Sequence, residues 1–161
     1  MPRYLPLLVM LLLAPAAARA HAADSVQHLS ADALREAVAA VPGEPDRSLY
    51  VRIVADRGYT VIAIRRTGDG EAEIHSEWDD VMTVQEGTGT LLHGGRVEGG
   101  RVTAPGERRG GRIAGGTRQV LAPGDVALIP AGTPHQVLVP ANGSIRYLVT
   151  KIRRQADAPP A

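Results

Sequence analysis

Apolar residues change their spacing twice along this chain. Leu5 to Leu13 is almost unbroken apolar sequence, with Arg3 before it and Pro15 after it. Small-x-small triplets follow at Ala18-Arg19-Ala20 and Ala20-His21-Ala22. A short positive start, an apolar run and a small-residue cleavage point form the layout of a secretory signal peptide, here residues 1–22. The run is too short for a stable membrane anchor. The mature protein is therefore expected to be secreted or periplasmic.

Residues 23–47 read as an extended lead-in and one short helix. Ser30 is placed to cap it and Asp32 falls in its first turn. Ala33, Leu34, Ala37, Val38 and Val41 repeat at helical spacing until Pro42-Gly43 stops them. From Leu49 the period falls to two. Strands are expected at 49–55, 59–66, 72–75, 80–86, 88–93, 118–121, 125–129, 135–139 and 145–152. Asp56-Arg57-Gly58 and Thr67-Gly68-Asp69-Gly70 serve as turns. Many short strands with regular turns predict an all-β sandwich or barrel over 48–154, with a disordered tail at 155–161. The Gly- and Arg-rich stretch 94–116 repeats Gly94-Gly95-Arg96-Val97 as Gly110-Gly111-Arg112-Ile113. Two copies do not make a solenoid, so a long hairpin or loop is expected. Its arginines (96, 101, 108, 109, 112) are either a solvated charged surface or an anion-binding one.

Composition narrows this picture. With no Phe, one Trp and four Tyr, the core must be built from Val, Leu, Ile and Ala. With no Cys, there is no disulfide framework and no thiolate ligand, so any metal must sit on His and carboxylates. Removing Arg3 and Arg19 with the leader takes the balance from 18 basic against 17 acidic residues to 16 against 17. A near-neutral domain gives no reason to expect nucleic acid as a partner.

Two segments carry the candidate chemistry. The first runs from Glu73 to Gly87. Glu73 and His75 are two apart on a strand and share a face; Asp80 opens the next strand in phase with Met82 and Val84. The second runs from Gly124 to His135. Pro130 and Gly132 reverse the chain, and His135 then points inward with Val137 and Val139. Two carboxylates buried together are costly unless a cation joins them. A set of Glu73, His75, Asp80 and His135 suits a divalent transition metal such as Mn, Fe, Ni or Zn. Glu77 and Trp78 fall at the rim, His93 at a strand end and Met82 in the core.

These segments resemble the two motifs of the cupin superfamily. The second family motif, G-x5-P-x-G-x2-H-x3-N, is matched at Gly124, Pro130, Gly132 and His135, with Val139 in place of its Asn. The first, G-x5-H-x-H-x3–4-E-x6-G, is matched at His75 and Gly87. Asp80 stands for its Glu, Glu73 for its first His and Thr67 for its opening Gly. The resemblance spans Leu49 to Lys151 and implies a jelly-roll barrel with one metal inside. The Glu73 substitution makes the set electrically neutral with a divalent ion, a poorer trap for an anionic substrate. It also leaves Glu73 as either fourth ligand or catalytic general base.

Three functions remain open on this reading. The barrel is a metal-dependent enzyme acting on a small polar molecule, a non-catalytic binder of a small carbohydrate or organic acid, or a structural barrel that forms a homodimer through its sheet edges.

Overall fold

The structure is a computed structural model that describes residues 28, 30–39, 49–55 and 58–154. The expected leader and tail lie outside the described residues. No helix among the described residues is long and apolar enough to cross a membrane.

Among the described residues one helix, α1 (Ala31–Ala39), precedes thirteen strands. It begins where the sequence predicts: Ser30 Oγ accepts a hydrogen bond from the Ala33 amide at 3.1 Å. It lies against β1 (Leu49–Ala55) and β2 (Tyr59–Arg66). The remaining strands are β3 (Glu73–His75), β4 (Trp78–Gly87), β5 (Gly89–His93), β6 (Arg96–Glu98), β7 (Arg101–Ala104), β8 (Glu107–Arg109) and β9 (Arg112–Ala114). They are followed by β10 (Thr117–Leu121), β11 (Val126–Ile129), β12 (His135–Leu138) and β13 (Ile145–Arg153).

Two antiparallel sheets form the barrel, with orders β1-β2-β13-β4-β11 and β10-β5-β12-β3-β8-β7; β6 and β9 make a separate ribbon. The all-β jelly-roll expectation holds, and alternation decides which side chains face inward. Asp80, Met82 and Val84 on β4 are buried, as are His135 and Val137 on β12, and Ile145, Tyr147 and Val149 on β13. Leu91, Leu121 and Ile129 complete the aliphatic cluster. Each such side chain taken out of water contributes about 1.5–3 kcal/mol before ordering costs.

Boundaries differ from the sequence reading where a side chain intervenes. Strand β11 starts at Val126 because Asp125 belongs to the turn: its carboxylate accepts from the Ala122 amide at 2.8 Å, and its own amide donates to the Ala122 carbonyl at 3.0 Å. Of the two expectations for 94–116, the hairpin is the one found. Every pair from Gly89↔Leu121 through Arg96↔Ala114 to Arg101↔Arg109 keeps one register, slipping only at the tip between Val102 and Ala104. In that register Gly94-Gly95 faces Gly115-Gly116, and Gly99-Gly100 faces Gly110-Gly111. The repeated Gly-Gly-Arg pieces are thus two bends of one long ribbon. At two of these positions a side chain has no room: a Cβ on Gly95 would lie 2.4 Å from the Ala114 carbonyl oxygen, and one on Gly111 would lie 2.4 Å from that of Glu98. Both glycines also hold positive φ, 67° and 77°.

Candidate metal centre

The Pro130–Thr133 turn clamps the two motif segments together. Gly132, at φ 81°, donates its amide to the His75 carbonyl at 2.7 Å. The Ala131 amide donates to Asp79 Oδ1 at 2.6 Å, which, against the opposing effect of desolvation, helps hold the Asp79 carboxyl below its ordinary range. The next strand then places His135 directly opposite Glu73 on β3. On its other edge β3 pairs with β8, which sets Glu73 opposite Arg109 and His75 opposite Glu107.

Glu73, His75 and His135 each bring a donor atom to one spot, all within 4.8 Å of one another. His75, Asp80 and His135 are only 2%, 4% and 7% exposed. Both imidazoles are oriented through Nδ1. That of His75 lies 2.5 Å from Glu107 Oε2, and that of His135 lies 3.0 Å from the Thr133 carbonyl. Their Nε2 atoms therefore face the barrel interior, with ring centroids 5.2 Å apart. His75 Nε2 approaches Glu73 Oε2 at 3.2 Å without the alignment of a hydrogen bond, and it is a buried nitrogen with no hydrogen-bond partner among the described residues.

Asp80 is placed differently from the other three. Its Oδ2 lies 3.6 Å from His75 Nε2 and 3.8 Å from His135 Nε2, while Lys151 Nζ grips both carboxylate oxygens at 2.7 and 2.8 Å. Arg109 plays a matching part for Glu73, at 2.5 Å, and Arg66 stands 3.9 Å from the same carboxylate. Arg66 also donates to the Tyr147 hydroxyl at 2.7 Å.

These surroundings set protonation. Burial alone would raise the Glu73 carboxyl, but the neighbouring His75 and the Arg109 guanidinium outweigh it and hold the group at about 2. Burial pushes the His135 imidazole down, which favours the neutral, metal-ligating form. Burial also raises the Tyr147 phenol, against the pull of Arg66, so that it stays protonated.

The centre lines one wall of a cavity of about 720 Å³, within the usual range for small-molecule sites. Trp78, expected at the rim, lines the cavity, with Arg153 5.8 Å above its ring. Met82 is buried, and Glu77 is exposed and paired with Arg153 at 2.8 Å. His93 closes β5.

Sequence reasoning missed Glu107 and Lys151, and took Arg109 only as one of the arginines of a solvated or anion-binding stretch, not as a neighbour of Glu73. Two signals pointed to them. Glu107 and Arg109 are two apart, so on a strand they share a face. Lys151 is the only lysine in the chain and lies in phase with Tyr147 and Val149 on the last strand.

No family model matches this sequence, and no curated protein is detectably similar to it. Solved structures do match. A conserved protein from Klebsiella pneumoniae with a double-stranded β-helix domain aligns at TM-score 0.57 and 14% identity, over 80% of this chain and 91% of that one. KdgF from a Halomonas species aligns at 0.51 and 14%, over 71% and 87%. A cupin superfamily protein from Desulfitobacterium hafniense aligns at 0.50 and 11%, over 73% and 87%. At such identities the likeness is one of fold.

Proposed function

We propose that this chain, which has the double-stranded β-helix fold of the cupin superfamily, holds one divalent transition metal on His75, His135 and Glu73, beside a cavity that takes up a small polar molecule. One observation carries the reading: two imidazoles are fixed through Nδ1 so that their Nε2 atoms face one carboxylate, and one of those buried nitrogens has no hydrogen-bond partner among the described residues. The donor set fits Mn, Fe, Ni or Zn. Asp80 Oδ2 is the fourth donor within reach, with Lys151 on its flank. When bound, such an ion supplies Lewis-acid polarisation of an oxygen on the captured molecule.

The protein's own groups divide the remaining work. Glu107 and the Thr133 carbonyl orient the rings. A Glu73 carboxylate held at about 2 is a weak proton acceptor near neutral pH, which favours its role as ligand over that of general base. The N-terminal pattern adds that the barrel works after export.

A second reading, capture without metal or turnover, has its own support. Arg109 and Lys151 already neutralise Glu73 and Asp80. Elemental analysis separates the two. Protein purified without chelator should carry near-stoichiometric transition metal, and a folded His75→Ala/His135→Ala variant should carry none. Absence of metal in both proteins would favour the second reading.

A further inference from the structure

The cavity wall is charged, and its charges cancel. Arg66, Arg101, Arg109 and Lys151 line it, and so do Glu71, Glu73, Asp80 and Glu107. Four cations thus meet four carboxylates: Arg101, Arg109 and Lys151 each lie within 3.1 Å of one of them, and Arg66 stands 3.9 Å from Glu73. Considering only Glu73, His75, Asp80 and His135, a divalent ion brings the centre to neutrality, and such a centre attracts no anion. The structure adds the basic residues that change this sum.

A metal on Glu73 and Asp80 competes for the carboxylates that Arg109 and Lys151 now use. The wall then carries an excess of about two positive charges, on cations that have lost part of their counter-charge in a partly buried place. A cation so placed is costly until an anion joins it. We infer that metal loading converts this cavity into a receptor for a small dianion, a dicarboxylate or a phosphate, bound between the metal and the Arg109 and Lys151 side chains. This rests on the metal reading above and extends it to the class of ligand. Planar guanidinium forks on Arg109 and Arg101 match carboxylate and phosphate oxygens alike. Because coupling between two ligands is reciprocal, the anion must tighten the metal by the same factor that the metal tightens the anion.

Titration calorimetry of the full mature protein tests this with manganese or zinc, malonate, inorganic phosphate, and neutral malonamide as control. Malonate, phosphate or both should bind about tenfold or more tightly to the loaded protein, with the reciprocal gain in metal affinity. The arm with the larger gain identifies the ligand class. Malonamide should show no gain. Arg109→Gln, at a half-exposed position, should keep the metal and lose most of the coupling. Because Lys151 is the only lysine, protein labelled with carbon-13 lysine gives one Cε signal; it should shift on metal loading and again on anion binding. Metal uptake with unchanged anion affinity would overturn the inference alone, as would full coupling in Arg109→Gln. Failure to take up metal would overturn the metal reading and the inference with it.

Discussion

The aliphatic half of the barrel and its charged half are built by the same strands. On β4, Asp80 gives way to Met82 and Val84; on β12, His135 gives way to Val137; on β13, Ile145, Tyr147 and Val149 lead to Lys151. One half is held by close packing of interchangeable apolar shapes. The other is held by specific pairs, Glu73 with Arg109, Asp80 with Lys151 and His75 with Glu107, in which each member depends on the other. The aliphatic half tolerates a partner of similar volume. The charged half tolerates loss of both members of a pair better than loss of one.

The largest effect should come from breaking one pair. Lys151→Met leaves Asp80 buried without its counter-charge and is expected to cost about 3–5 kcal/mol in urea denaturation of the metal-free protein. Adding Asp80→Leu to it should return most of that loss. If the double variant is as unstable as the single one, the pair is not the unit that matters. Next in size, Leu121→Ala should cost about 2–5 kcal/mol by leaving a void. It should leave metal content unchanged, which separates the packed half from the site. The smallest effect is a pH dependence. Glu73 has a depressed pKa, so its stabilising contribution is present above the ordinary value of 4.5 and is lost as pH falls toward about 2. The stability gap between wild type and Glu73→Gln, both metal-free, should close across that window. A gap that stays constant from pH 5 to pH 2 would contradict the charge pairing assigned to Glu73.

The same contrast explains what could be read from the sequence. Alternation within a strand is local, so the inward positions of Glu73, His75, Asp80 and His135 follow from counting by two, and the Pro130–Gly132 turn marks where His135 begins its strand. The helix start at Ser30 is local for the same reason. Glu107 and Arg109 were not legible because they reach the site through β8, whose pairing with β3 joins residues more than thirty positions apart. Lys151 meets Asp80 across an even longer interval, and nothing near either residue encodes that meeting. One lysine among many arginines, and the two-residue spacing of Glu107 and Arg109, are the traces they leave.

The long ribbon from Gly89 to Leu121 behaves like a ruler with two folds. Its arms stay in step, so the number of residues between its base and Glu107 decides which face that carboxylate presents to His75. Removing one residue from a single arm turns Glu107 and Arg109 away from the centre together, whereas removing opposed residues in matched pairs of two keeps their facing. Change of length in this part of the chain is therefore quantised: descendants of this protein that keep the centre can shorten or extend the ribbon only in balanced steps.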